Sequence, residues 1–246
     1  MNHIAETANL GQNVTLGFNV IIEEDATIGN RVKIGHNVVI YAGTEIGEGS
    51  HIHDNVVIGK KPMRAARSIM KEQKSYEPAK IGVRCTIGTN VVVYTQSILE
   101  DEAFVADLAT IRENVMIGRQ TIIGRNVTVE NECRIGACCK IETNAYITAF
   151  STIEDYVFVA PGVVTSNDNY IGRTEKRFQA FKGCTIKRGG RVAANATLLP
   201  GVVVESEAVV GAGSVARKTL KSGMVYVGNP AKELRPVDEE QLLDFK

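Results

Sequence analysis

From Ile4 onward an aliphatic residue falls on every sixth position: Leu10, Leu16, Ile22, Ile28, Ile34, Ile40, Ile46, Ile52 and Ile58. The beat resumes at Ile81 and runs through Ile87, Val93, Leu99, Val105, Ile111, Ile117, Ile123, Val129, Ile135, Ile141, Ile147 and Ile153 to Val159. It returns over Ile186, Val192, Leu198, Val204 and Val210. Two places before each anchor stands a small or β-branched residue, such as Val14, Val20, Ala26, Cys85, Val91 or Ala103. Residues i and i−2 of a strand share a face, so both point inward. Glycine often follows the anchor, as at Gly11, Gly17, Gly29, Gly35 and Gly47, which suits a bend. Each hexapeptide therefore predicts a short strand plus a corner, and three corners close one triangular coil. Stacked coils pair strands in parallel at about 4.8 Å, so about ten coils give an all-β prism roughly 45 Å long. One coil cannot bury its own anchors; a stack can.

The residue just before each anchor faces outward. In the first coils one face carries Ile21, Val39 and Val57, while the others carry Asn9, Thr27, Glu45 and Thr15, Lys33, His51. An apolar stripe on one face of three is a burial signal and points to a subunit interface there.

The beat breaks twice. Lys60 to Lys80 holds seven basic residues (Lys60, Lys61, Arg64, Arg67, Lys71, Lys74, Lys80) against Glu72 and Glu77, with a short helix expected at "RAARSIMKEQ". Such a local excess of positive charge suits either a diphosphate or solvent. The second break runs from about Thr165 to Thr185, where "SNDNYIGR" is rich in turn-forming Asn and Asp. Phe178 and Phe181 follow, able to fold the excursion back on the prism or to cover a ligand. A smooth prism has few concave places, and a long loop inside a repeat makes one.

Composition narrows the partners. Lys plus Arg and Asp plus Glu both number 28, so no net charge selects nucleic acid or a membrane surface. The start "MNHIAETANLG" lacks a signal-peptide pattern, and no apolar run is long enough to span a bilayer. Five irregularly spaced cysteines fit neither a disulfide framework nor a zinc site, so a reduced, cytoplasmic protein is expected.

The hexapeptide pattern resembles that of the left-handed β-helix (hexapeptide-repeat) acyltransferases over nearly the whole chain. That resemblance implies a single domain over residues 1–246, a left-handed coil, insertions at about 60–80 and 165–185, and a cap at about 217–246. It also implies a homotrimer and acyl-CoA, most simply acetyl-CoA, as co-substrate with no permanently bound cofactor and no metal. The stretch "IETNAYITAFSTIEDYVFVAPGVVTSNDNY" is similar to one carried by nucleotide-linked amino-sugar N-acetyltransferases ahead of the loop over the sugar. A dTDP- or UDP-linked amino sugar is the acceptor that this likeness implies. The run "TLLPGVVVESEAVVGAGSVARKTLKSGMVYVGNPAK" is similar to the coenzyme A channel of hexapeptide acyltransferases more widely. Small residues there, including Ala194, Ala212 and Gly213, leave a shallow groove for pantetheine, with Arg217, Lys218 and Lys221 expected beside it for phosphates.

Many such enzymes use a histidine base, yet His3, His36, His51 and His53 all precede the first break. An amine acceptor needs less help than a hydroxyl, because a neutral amine is already a good nucleophile. Glu142, Asp107 and Asn144 are the expected orienting groups. Asn167, Asp168, Asn169, Tyr170, Arg173, Arg112 and Glu113 are the expected substrate contacts. Ser97 is read as core-facing and not as a nucleophile. The rivals are an O-acetyltransferase, a non-catalytic β-helix scaffold, and a γ-type carbonic anhydrase, which needs three zinc-binding histidines where only His51 and His53 lie close in sequence.

Overall fold

The computed structural model describes residues 1–63, 65–66 and 75–244. Its strands assort into three sheets of eleven, ten and twelve strands. The first face begins with His3–Ile4 and takes every third strand thereafter; the second begins at Asn9–Leu10 and the third at Thr15–Leu16. Pairing is parallel, with Ile4 beside Ile22 and Ile22 beside Ile40. Anchors Ile22, Ile40, Ile58, Ile111 and Ile147 are fully buried, as are their inward partners Val20, Val38, Val56 and Ala109. Ser97 is also buried, and its hydroxyl donates to the Arg112 carbonyl at 2.7 Å.

The glycine after the anchor has a different role from the expected bend. Positive φ falls two residues later, more often on asparagine than on any other non-glycine residue, as at Asn13, Asn19, Asn37, Asn55, Asn126 and Asn144. The glycines instead make room. A Cβ on Gly136 would meet Asp155 Oδ1 at 2.3 Å and its backbone nitrogen at 2.7 Å. That carboxylate accepts the Ala137 N–H at 2.7 Å, and the motif recurs at Asp54 on His36, Asp101 on Val83 and Asp107 on Thr89. On the corner between third and first faces the positive-φ asparagines also stack, Asn19 donating to Asn37, Asn37 to Asn55 and Asn126 to Asn144.

Both insertions leave from one edge. The first lies between Val57–Lys60 and Lys80–Ile81, the second between Val164–Thr165 and Thr185–Ile186. In each case the chain departs the first face and returns to the second. The expected helix at "RAARSIMKEQ" lies outside the described residues except for Ala65 and Ala66, as do Arg64, Arg67, Lys71 and Lys74. The polarity contrast of the first coils does not persist either. Ile98 and Met116 are exposed on the second face, and Phe104 and Phe158 on the third.

At the C-terminus, Met224–Val227 extends the third face and Lys232–Pro236 folds back antiparallel on it. Buried Tyr226 closes that end of the stack. Among the described residues no helix is long and apolar enough to cross a membrane. The cysteines are unpaired, and burial pushes the Cys85, Cys139 and Cys184 thiols up to about 11 and Cys133 to about 12. These four are packing groups, not nucleophiles.

Gly136→Ala is expected to lower stability by about 1–3 kcal/mol through overpacking against backbone. Gly213→Ala, at positive φ but with open space around it, isolates the conformational cost alone. Thermal unfolding compares them, and a Gly136→Ala midpoint equal to wild type contradicts the spacing role.

Candidate functional site

The second insertion overhangs a cavity of about 620 Å³ on the first face. Tyr146 and Thr148 form its floor, Thr165 to Asn169 with Ile171 and Gly172 one wall, and Leu199 and Pro200 the other. The local cause is Thr165, a hydroxyl where the repeat calls for an aliphatic anchor. It is 1% exposed; its Oγ1 accepts the Thr148 N–H at 2.7 Å and donates to the Tyr146 carbonyl at 3.1 Å. The strand that ends the regular repeat thereby fixes the floor beneath its own loop.

Asp168 organises that loop. One carboxylate oxygen accepts the Tyr170 N–H at 2.8 Å, the other the Gly172 N–H at 2.9 Å and Arg177 Nε at 2.9 Å. These bonds, Gly172 first and then Tyr170 and Arg177, hold its carboxyl below the ordinary value. Arg177 in turn lies over Phe178 and Phe181, 5.4 and 5.2 Å from their centroids. The two phenylalanines thus pack on the loop's own clasp.

Of the expected contacts, Asn167, Asp168 and Asn169 line the cavity. Tyr170 and Arg173 lie in the same loop, exposed and outside the cavity lining. The expected orienting groups stand apart from it. Asp107 holds a corner through the Thr89 N–H, and Asn144 belongs to the asparagine stack at φ +62°. Glu142 lies on that same corner, across the first face from the loop.

Arg112 and Glu113 are on the loop's own corner, below the cavity. Arg112 grips Glu113 with two bonds of 2.8 and 3.0 Å, reaches Glu130 at 3.4 Å and lies 5.0 Å from the Tyr94 centroid. Lys60 covers the same ring at 5.6 Å. Sequence reasoning missed Tyr94, Glu130, Tyr146 and Thr148. Burial and the Glu130 carboxylate push the Tyr146 phenol up, and Glu130 lies one coil below Thr148. A period of eighteen residues was the available signal: counted back from Ser166 it passes through Thr148, Glu130, Arg112 and Tyr94.

The expected C-terminal groove divides. Ala194 and Gly213 stack on the corner between third and first faces, with Ala212 alongside, the Gly213 N–H meeting the Ala194 carbonyl at 2.9 Å. Arg217 and Lys218 follow the strand Val215–Ala216, at the opposite edge of the first face and one coil beyond Leu199. Lys221 is farther still, past the bridge of Leu220 to Val204 on the second face, and pairs with Glu233 at 3.1 Å. Arg217 and Lys218 thus stand one coil beyond the cavity wall at Leu199, and Lys221 stands farther from it. In the first coils His51 and His53 stack at 4.2 Å on the third face, where burial, His53 and Lys33 hold the His51 imidazole low.

The profile of the family "bacterial transferase hexapeptide (six repeats)" matches residues 7–41, 25–60 and 108–143, and that of the "hexapeptide repeat of succinyl-transferase" matches 194–216. A mitochondrial γ carbonic anhydrase 2 of Arabidopsis thaliana is 44% identical over 63 residues, 25% of this chain and 23% of that protein. A serine acetyltransferase of Buchnera aphidicola is 33% identical over 96 residues, 37% of this chain and 35% of that protein. These matches span well under half of either relative's own length. An Arabidopsis UDP-N-acetylglucosamine acyltransferase shares the fold, with a TM-score of 0.53 at 15% identity over 98% of this chain and 74% of that one.

Because the Asp168 pKa is depressed in the folded loop, the clasp is fully formed above the ordinary carboxylate value and is lost as pH falls through the folded one. Asp168→Ala removes it at neutral pH. Trypsin should then cleave after Arg173 or Lys176 about tenfold faster or more, with the thermal midpoint of the prism unchanged. Cleavage at the wild-type rate contradicts the clasp.

Proposed function

We propose that this hexapeptide-repeat chain is an acyltransferase that moves an acetyl or other short acyl group from acyl-CoA to the amine of a nucleotide-linked amino sugar. The observation that carries the reading is the cavity beneath the second insertion, floored by Tyr146 and Thr148, walled by Asn167, Asp168 and Asn169, with Arg217 and Lys218 one coil beyond Leu199. The transferase-repeat matches and the shared fold of an acyltransferase support the reaction class. The likeness of residues 141–170 to amino-sugar N-acetyltransferases supports the acceptor. A left-handed coil and a cytoplasmic setting belong to the same reading.

The chemistry asks for placement above all. The neutral amine attacks the thioester carbonyl, the C–N bond forms, the C–S bond breaks, and coenzyme A leaves as its thiol. Asn167 and Asn169 offer amides toward the sugar, and the Asp168 clasp keeps them in place. Holding the two reactants in line is itself a large part of such a rate enhancement. No histidine follows His53 in the sequence, which accords with an amine acceptor.

A homotrimer completes the reading. The cavity opens on the face that carries Ile21, Val39 and Val57, and Tyr146 and Val164 there are 38% and 45% exposed. A neighbour seated on that face would close the cavity against water. A carbonic anhydrase reading draws on the 44% match and on the His51–His53 pair, and zinc content of the purified protein separates the two.

Thiol release from acetyl-CoA, assayed against a panel of dTDP- and UDP-linked amino sugars and their hydroxyl counterparts, tests the function. Turnover with at least one amine is expected; turnover with hydroxyl acceptors alone replaces this reading by O-acetylation. Arg217→Glu with Lys218→Glu should weaken acetyl-CoA binding at least about tenfold and leave sugar binding alone. Unaltered acetyl-CoA affinity in calorimetry moves the phosphate site elsewhere. Val39→Lys should dissociate the trimer by burying an unpaired charge, and an unchanged trimer mass by light scattering contradicts the interface.

A further inference from the structure

At the corner below the cavity two carboxylates share Arg112 unequally. Tyr94, Arg112, Glu130, Thr148 and Ser166 occupy the same place on successive coils. Within that column one guanidinium serves two carboxylates. Glu113, only 4% exposed, takes both short bonds from Arg112. Glu130 receives one long contact from Arg112, at 3.4 Å, and faces the Tyr146 phenol. Its backbone N–H donates to the Ile147 carbonyl at 2.9 Å, which fixes it directly beneath the Tyr146–Thr148 floor. The side chain is 22% exposed, one coil below Thr148 of the cavity lining.

Each neighbour fits one task. A carboxylate paired on both sides would be a structural brace, as Glu113 is. One held by a guanidinium at 3.4 Å and faced by a phenol, a coil below the cavity lining, has acceptor capacity left for a cation entering from that side. Amines reach neutral water as ammonium ions, and the ammonium must lose a proton before it can attack. A partly desolvated carboxylate both attracts the ammonium and takes that proton.

We propose that Glu130 binds the acceptor's ammonium group at the Tyr146 floor and accepts its proton, while Arg112 and Glu113 position that carboxylate. This rests on the reading of the acceptor as an amine. The ammonium proton passes to Glu130, and the freed lone pair attacks the thioester carbon. As the C–S bond breaks, the second nitrogen proton goes to the departing sulfur, and Glu130 returns its proton to solvent. The products are the amide, the coenzyme A thiol and one proton, so atoms and charge balance with no further reagent.

Glu130→Gln keeps size and shape and removes only the charge. With the amino sugar that turns over best, kcat/KM should fall about 10²- to 10⁴-fold, the range for loss of a general base. Calorimetry should show the wild-type preference for that amino sugar over its hydroxyl counterpart erased in Glu130→Gln, with acetyl-CoA affinity unchanged. Glu130→Asp should recover part of both, whereas a merely structural role would not respond to restored charge. Glu142→Ala, across the face, should lose no more than about 30-fold. An active wild type with Glu130→Gln within tenfold of it, and with the amine preference intact, overturns the inference alone. A wild type that acylates no amine in the panel overturns the amine reading and this inference with it.

Discussion

Everything in this protein hangs on the parallel backbone ladder that, between the insertions, ties each residue to the one eighteen positions along. A two-residue strand has almost no stability of its own, because its few bonds cannot offset the ordering of its chain. Stacked three to a coil, such strands share one continuous row of anchors and bury it completely. The corners then have to be equal, since a single residue gained or lost would turn every outward side chain inward. Glycine after the anchor and an Asx in the next coil enforce that equality. The small residue makes the space, and the carboxylate or amide fills it with a hydrogen bond to the coil below.

A chain so constrained can build a cavity only where it leaves the stack and returns to the proper face. Both insertions do this at the same corner. The second brings its own clasp in Asp168 and Arg177 and its own floor support in Thr165. Between the two insertions the corner is lined by Lys60, Tyr94, Arg112, Glu113 and Glu130, an aromatic ring between cations and then a braced pair of carboxylates. This is the one described edge on which loop, cavity and charge coincide. A reaction at the site must therefore draw on residues far apart in sequence, and the coil sets how far.

The repeat itself was fully legible, because each anchor is a local fact that six residues suffice to read. The loop was legible for the same reason: "SNDN" announces turns, and Asn167, Asp168 and Asn169 do line the cavity. Residues such as Glu142 and Asn144 were attractive because they adjoin a recognisable motif, but a triangular coil carries them to the opposite corner. Tyr146, Thr148 and Glu130 went unnoticed because one or two whole coils separate them from Ser166 along the chain, and none breaks the hexapeptide rule. Lys221 likewise stands apart from Arg217 and Lys218, because four residues in sequence cross an entire face. Proximity in this fold is read at steps of eighteen, and short-range motifs mislead at the corners.

We propose that the acceptor lies in the cavity under the second insertion. Amide hydrogen exchange, measured with and without acetyl-CoA and the turned-over amino sugar, tests it directly. Protection concentrated at Tyr146–Thr148, Ser166–Gly172 and Leu199 is the expected result. Protection confined to the first coils around His36, His51 and His53, with the second insertion exchanging as in the free protein, would contradict the account.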